Sequence, residues 1–150
     1  MAAITITTNL AKVMAGIVSS FELLKDKEYL LRPLAIETIP LMKDRIHVEG
    51  KASDGSQIGT YANSYMRRRE EAGRGESRKI IVALTSQLEQ DWAVLATDKG
   101  YGIGFNNSFN ADKARWVEEN KKKIIFNLSA EEKKYINEAL QDLVNGAINP

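Results

Sequence analysis

The sequence contains no cysteine and a single histidine, so it has few of the side chains that most often serve in catalysis and metal binding. Without cysteine the chain can form no disulfide, no thiolate nucleophile and no cysteine–zinc site. It also has no signal-peptide-like segment near its N-terminus and no apolar run of about 18 residues that could span a bilayer. We therefore expect a soluble protein that is made in the cytoplasm and does not enter a membrane.

The chain also has almost no net charge, because 21 basic residues nearly balance 20 acidic ones and leave +1. A general attraction to nucleic acid or to acidic membranes is therefore not expected, and any electrostatic function must be local. The 150 residues predict a single domain, 1–150. Apolar residues make up 43% of them, which is enough for a core that needs no disulfide or metal.

Two helices are predicted in the first third of the chain. The first, over residues 9–25, has an apolar stripe at helical spacing. The stripe consists of Leu10, Val13, Met14, Ile17, Val18, Phe21 and Leu24. The second helix is predicted from about 33 to 44, with Pro33 in its first turn and a kink at Pro40. Residues 1–8 precede both and are interpreted as a flexible N-terminal arm or a strand formed on a partner.

The rest of the chain predicts a small antiparallel sheet between helices. A short helix is expected from Thr85 through Trp92, and a hairpin over 93–105 turns at Asp98-Lys99-Gly100. A helix follows over 111–122. Ser129 and Glu132 have capping-box spacing and predict a last helix over 129–147. The predicted fold class is α+β, with N-terminal helices, a small antiparallel sheet and a C-terminal helix.

Residues with catalytic potential form no recognisable constellation. His47 would need Ser53 or Ser56 and an acid such as Asp44 nearby to form a triad, and their spacing is not specific for one. The favoured interpretation of His47 is a half-exposed histidine on a polar face. The aspartates lack metal-ligand spacing, and the pairs Glu70-Glu71 and Glu118-Glu119 are interpreted as solvated surface. We predict no catalytic, cofactor-binding or metal-binding residue, and no enzymatic activity.

Alternating glycines at 100, 102 and 104 resemble a phosphate-binding loop only superficially. A dinucleotide-binding fingerprint has the spacing Gly-x-Gly-x-x-Gly and leads into a helix, whereas asparagines follow here. Glycines that alternate along a strand more often mark close approach of a neighbouring group.

A basic segment, MRRREEAGRGESRK over 66–79, is the main candidate for contact with a partner. Its six cations are Arg67, Arg68, Arg69, Arg74, Arg78 and Lys79. They could bind phosphates, but three glutamates reduce the net charge to +3 and no aromatic residues alternate with them. Bidentate contact with carboxylates of a protein partner is favoured over nucleic acid. Residues 62–79 as a whole are predicted to be a long mobile loop that becomes ordered in an assembly.

The order of several short motifs resembles the virion morphogenesis, or tail-completion, proteins of tailed bacteriophages. The segments that carry the resemblance are Arg45–Gly50, Asp54-Gly55, Ile58–Tyr61, Leu84–Leu88, Tyr101–Phe105 and Ile125–Glu132. Ser86 stands where that family prefers glycine. Ala114–Glu118 keeps only part of another family motif, and the N-terminal helix does not align with the family.

The resemblance implies a structural protein that acts by contact with other virion proteins in the tail or at the head–tail junction, after assembly in the host cytoplasm. Such proteins typically form rings, so a homo-oligomer is expected, with tail-tube, neck or portal components as partners. Tail terminator, tail completion and neck protein remain alternative roles. The alternative from a different class is a small nucleic-acid-binding module that uses residues 67–79.

Overall fold

The computed structural model describes residues 10–83 and 85–149, and these form the predicted α+β fold. Helices precede and follow a two-stranded antiparallel sheet along the chain. The elements in chain order are α1 (Leu10–Lys25), α2 (Lys27–Lys43), a π-helical segment (Asp44–Val48), α3 (Asn63–Glu71), α4 (Gln87–Gln90), β1 (Trp92–Thr97), β2 (Gly100–Phe105), α5 (Ser108–Lys121) and α6 (Ala130–Ile148). The arm predicted for residues 1–8 lies outside the described residues. No helix in the described part of the chain is long and apolar enough to cross a membrane.

Helix α2 begins six residues earlier than predicted and continues through both of its prolines. Asp26 caps its N-terminus by accepting hydrogen bonds from the backbone N–H groups of Glu28 and Tyr29. A proline deprives the carbonyl four residues earlier of its donor. Those carbonyls belong to Tyr29 and Ile36, which are both exposed, so water can satisfy them. The predicted start at Pro33 was therefore wrong, because the capping signal of Asp26 outweighs the proline.

The π-helical segment Asp44–Val48 places three consecutive side chains in the interior, namely Arg45, Ile46 and His47. An α-helix turns consecutive side chains by about 100°, so three in a row seldom all face inward. The wider π turn makes this possible. The buried core packs around this segment and consists of Met42, Ile46, Ala52, Ile58, Ile80, Trp92 and Ile125.

The predicted hairpin is present, with Thr97 opposite Gly100 next to the turn and Trp92 opposite Phe105 at its open end. Trp92 begins β1, so the prediction that it ends a helix was wrong; α4 is a single turn that ends at Gln90. Two of the three alternating glycines mark close approach of a neighbouring side chain, whereas a Cβ at Gly102 would make only an ordinary contact, 3.6 Å from Thr97 Cγ2. A Cβ at Gly100 would lie 2.8 Å from Leu31 Cδ1 of α2, and a Cβ at Gly104 would lie 2.8 Å from Leu95 Cδ1.

Residues 62–79 contain the helix α3, where the sequence predicted only loop. The segments before and after α3 are hydrogen-bonded to each other. Tyr61 N–H donates to the Arg78 carbonyl at 2.7 Å, and Thr60 pairs with Lys79 in an isolated β-bridge. The prediction missed α3 because the helix has no apolar stripe and is attached through a buried arginine. The predicted mobility of 62–79 stays a prediction.

The last two helices match the local signals in the sequence. Asn107 caps α5 through the Phe109 N–H, and Ala114 and Val117 face inward. The predicted capping box is present, with Ser129 Oγ accepting from Glu132 N–H and Glu132 Oε2 accepting from Ser129 N–H at 2.7 Å. Helix α6 packs against α1 and α2 and so closes the helical side of the domain.

Candidate functional site

Arg69 of the basic segment lies inside the protein, with 2% of its surface exposed. Its Nη1 donates to the Ala83 carbonyl, and the guanidinium carbon lies 4.2 Å from the centre of the Tyr61 ring, in a cation–π contact. Burial raises the pKa of the Tyr61 hydroxyl above its ordinary value. Arg69 therefore fastens α3 to the segment before α4 and is not available to a partner in this conformation.

Three more cations of the basic segment also make internal contacts. Arg74 donates to Ser86 Oγ and lies 3.6 Å from a Glu89 carboxylate oxygen. Arg78 donates to the Tyr61 carbonyl at 3.1 Å, and the half-buried Lys79 packs its side chain beside Gly50. These residues hold 72–79 against the rest of the domain.

Arg67, Arg68 and Arg78 are the exposed cations of the basic segment, and of these three Arg78 also bonds to the Tyr61 carbonyl. Arg67 lies 3.6 Å from Glu71 in an exposed ion pair one turn along α3. Such a pair contributes little to stability. Contact with a partner through Arg67 and Arg68 stays a prediction, and the described geometry leaves a much smaller basic surface than the sequence suggested.

An apolar groove with a volume of about 450 Å³ lies beside α3, between α5 on one side and residues 80–83 and 85–89 on the other. Its apolar lining comes mainly from Tyr61, Tyr65, Ile80, Val82, Leu88 and Trp116. Trp116 stands at its edge with 64% of its surface exposed. The volume lies within the range of about 300–1,000 Å³ that is usual for binding sites. Sequence reasoning missed the groove because its walls come from three separated segments.

The floor of this apolar groove contains two residues in the left-handed backbone region. Val82 has φ 47° and Ser86 has φ 60°. A β-branched residue is rarely found there, and the cost of such strain is about 1–3 kcal/mol for each residue. Strained backbone of this kind concentrates at binding and switch sites, so it supports the groove as a functional surface.

Helix α1 carries a second apolar surface, which no other described residue of the chain covers. Met14, Val18 and Phe21 lie one turn apart along one side, with 51%, 56% and 57% of their surfaces exposed. The helix packs against α6 and α2 with its neighbouring side, where Ser20 and Leu24 are half-buried. No charged residue occurs between Lys12 and Glu22. A surface helix normally presents charged residues to water, so this arrangement is typical of a helix that is covered in an assembly.

A buried ion pair joins the π-helical segment to the start of α6. Arg45 Nε donates to Glu132 Oε1 at 2.7 Å, and Nη2 donates to Glu132 Oε2 at 3.3 Å. The remaining donors of Arg45 bond to the carbonyls of Lys51, Ile125 and Asn127 at 2.9–3.0 Å. All five donors are therefore used. This arrangement is structural, and no local pattern predicts the pairing of two residues that are 87 positions apart.

His47 is also structural, and the expectation that it is half-exposed on a polar face was wrong. It is buried; its Nε2 accepts from Trp92 Nε1–H at 3.1 Å, and its Nδ1–H donates to the Ile81 carbonyl at 3.2 Å. Burial lowers the pKa of its imidazole below the ordinary value. Both ring nitrogens are occupied. Ser53 bonds instead to the Ile124 carbonyl, so these side chains do not form the triad that was considered.

Two acidic side chains, Glu118 and Asp91, accept hydrogen bonds from other parts of the domain. Glu118 accepts from the N–H groups of Ile125 and Phe126 at 2.7 and 2.9 Å, so its interpretation as solvated surface was wrong. Asp91 accepts from Asn107 N–H and from the Asn110 amide. Among residues 10–83 and 85–149 there is no cluster of three or more histidines and carboxylates that could hold a metal.

This chain matches no protein-family model, no curated protein and no solved structure.

Proposed function

We propose that this protein is a structural subunit of a tailed-bacteriophage virion that acts by protein–protein assembly, at the tail end or the head–tail neck, and forms a ring. The observation that carries the proposal is the exposed apolar side of α1, whose middle has no charge. Leaving three large apolar side chains in water is unfavourable by about 1 kcal/mol or more each, so an isolated monomer is not the state for which this helix is suited.

The identification with virion proteins rests on the order of motifs between Arg45 and Glu132 that resembles the tail-completion family. One detail of the fold supports it. Ser86, where that family prefers glycine, has φ 60°, a conformation that glycine adopts without strain. The preference for glycine at this position thus has a physical reason in this chain.

The alternative function, nucleic-acid binding through residues 67–79, has less support from the structure than from the sequence. Arg69 and Arg74 are turned inward to Ala83 and Ser86, so the exposed arginines of the segment are Arg67, Arg68 and Arg78, and Arg78 is partly engaged by the Tyr61 carbonyl. Three exposed arginines beside exposed glutamates form a small basic surface for binding that depends on phosphate contacts alone. The proposed function assigns no catalysis.

Light scattering tests the proposal. We expect the mean mass of the purified protein to increase with concentration, alone or after addition of a tail-tube, neck or portal component. A chain that stays monomeric at every concentration and joins none of these components would contradict the proposed function.

A further inference from the structure

We infer that the pairing of His47 with Trp92 is a proton-sensitive switch, which releases the open end of the β1–β2 hairpin when the imidazole becomes protonated on both nitrogens. The open end is the one at which Trp92 begins β1 and Phe105 finishes β2. The inference goes beyond the proposed function and does not depend on it, because it concerns the conformation of a single chain.

The hydrogen bonds of His47 fix which of its ring nitrogens carries the hydrogen. An indole N–H group can only donate, so His47 Nε2, which lies 3.1 Å from Trp92 Nε1, is the accepting nitrogen without a hydrogen. His47 Nδ1 therefore carries the hydrogen and donates it to the Ile81 carbonyl at 3.2 Å. The neutral ring makes both bonds at once. The protonated ring cannot, because both of its nitrogens are then donors.

Burial makes this mismatch a reason for movement. His47 and Trp92 are 6% and 9% exposed, and the bond between them is buried. Two N–H groups that face each other there would leave a buried donor without an acceptor, which is unfavourable. The bond from Nδ1–H to the Ile81 carbonyl becomes stronger when the imidazole is charged. His47 therefore stays in place, and Trp92 is the side chain that has to move.

Movement of Trp92 affects the open end of the hairpin and leaves its turn in place. The indole ring packs against Phe105 and Phe126, with ring centres 4.7 and 6.0 Å apart. The turn is held by a separate contact, where Gly100 lies against Leu31 of α2. That contact contains no titratable group, so the expected change is local.

Three carboxylate and ammonium groups surround the switch. Lys43, at the end of α2, disfavours the protonated imidazole, whereas Glu89 of α4 favours it and also lies 3.6 Å from Arg74. Asp91 precedes Trp92 in the chain and accepts hydrogen bonds from the start of α5. Burial is the largest influence on the imidazole and lowers its pKa, so the switch should operate below pH 6.5.

Two further titratable side chains lie close by and keep their charge over the relevant range. Arg45, the neighbour of His47 in the π-helical segment, is paired with Glu132. The Tyr61 hydroxyl lies 3.4 Å from the Ile81 backbone nitrogen, and burial raises the pKa of this hydroxyl above its ordinary value. Neither group changes its charge between about pH 8 and pH 5.

Tryptophan fluorescence tests the switch, because the chain has one histidine and two tryptophans. Trp116→Phe leaves Trp92 as the only tryptophan. Its fluorescence should change in one step between about pH 8 and pH 5, with a midpoint below pH 6.5, while the circular dichroism of the helices stays constant. Adding His47→Gln should abolish the step. Trp92→Phe is the matched control, since the exposed Trp116 that it retains should show no such step.

Nitrogen-15 NMR of the wild type gives a second measurement that needs no variant. At about pH 8 the imidazole signals should be those of the ring with hydrogen on Nδ1. On acidification the indole N–H signal of Trp92 should move with the same midpoint as the imidazole, whereas the Trp116 signal should not. Phe126→Leu, which alters the aromatic contact but keeps the bond to His47, should preserve this common midpoint.

Several results would overturn the inference. One is an imidazole with hydrogen on Nε2 at about pH 8, and another is a Trp92 indole signal that stays in place while the imidazole titrates. A fluorescence step that persists in His47→Gln, or that coincides with loss of helical circular dichroism, would likewise exclude a local switch. None of these results bears on assembly, which light scattering tests separately.

Discussion

At the scale of single residues, three buried polar side chains organise this domain. Arg45 and His47 bond to groups 87 and 45 residues away, and Arg69 bonds to a carbonyl 14 residues away. His47 was predicted to be half-exposed and Arg69 to lie in a loop. Their partners could not be predicted, because a buried polar residue has no periodic signature and its acceptors are mostly backbone carbonyls. The capping box of Ser129 and Glu132 was predictable because both halves lie within four residues.

Replacement of Arg45 by methionine should reduce the free energy of unfolding by about 3–5 kcal/mol, because it leaves the Glu132 carboxylate buried without its counter-charge. Urea unfolding measures this change. The double variant Arg45→Met/Glu132→Gln, which keeps an acceptor for Ser129 N–H, should be more stable than Arg45→Met alone by about 1 kcal/mol. Lys51→Met, which removes a partly exposed pair with Glu49, should cost no more than about 1 kcal/mol. An Arg45→Met cost as small as that of Lys51→Met would contradict the structural role of the buried pair.

His47 should make the stability of the fold depend on pH. Burial lowers its pKa in the folded state below the ordinary 6.5, so the unfolded chain binds more protons between the folded value and 6.5. Its contribution to stability is therefore complete above about pH 7 and decreases as the pH falls through 6.5, by at most about 1.4 kcal/mol for each pH unit within that window.

Urea unfolding between about pH 5 and pH 8 measures this slope for the wild type and for His47→Gln. The variant should be less stable at pH 8 but should show a flatter slope, because it lacks the titrating group. Equal slopes in the two proteins would show that another group is responsible.

At the scale of elements, the sequence predicted those whose signal is local and missed those that depend on tertiary contact. The hairpin follows from the turn at Gly100, and α1 and α6 follow from apolar residues at helical spacing. Helix α3 was missed because it has no apolar stripe and its buried side chain is an arginine. The groove was missed because its walls come from 61–65, from 80–83 with 85–89, and from 113–121. The exposure of α1 could not be foreseen either, since an apolar stripe predicts burial without saying against which surface.

Replacement of Arg69 by alanine should free α3 from the domain. Glutamyl endopeptidase has cleavage sites after Glu70, Glu71 and Glu76, and cleavage there should become about tenfold faster, because it follows the population of the locally open state. Arg68→Ala is the matched control, since Arg68 is the exposed neighbour on the same helix. Mass spectrometry of timed digests locates the cuts. If both variants are cut at the wild-type rate, Arg69 does not anchor α3.

At the scale of the whole molecule, the domain combines a well-bonded interior with two apolar surfaces left in water. The buried arginines bond within the domain, whereas the apolar side of α1 and the groove are exposed among residues 10–83 and 85–149. Assembly through these surfaces should be driven mainly by the hydrophobic effect, so its dependence on ionic strength should be weak.

Between about 50 mM and 500 mM sodium chloride, the association constant of the wild type should change by less than about threefold, because the apolar contact is not screened by salt. Sedimentation velocity over a concentration series provides the constant. Binding to DNA or RNA, in contrast, would weaken steeply over the same range. A decrease of the association constant by tenfold or more with added salt would indicate that contacts between charged groups, rather than between apolar surfaces, stabilise the assembly.

The π-helical segment also bears on the ancestry of this domain. A π turn holds one residue more than an α turn, so Asp44–Val48 is geometrically equivalent to a one-residue insertion in a continuous helix. Homologues that are one residue shorter at this point should have an uninterrupted helix and only two inward-facing positions. They should therefore lack one of the three inward-facing side chains. Where the missing one is the arginine or the histidine, its glutamate or tryptophan partner should also have changed.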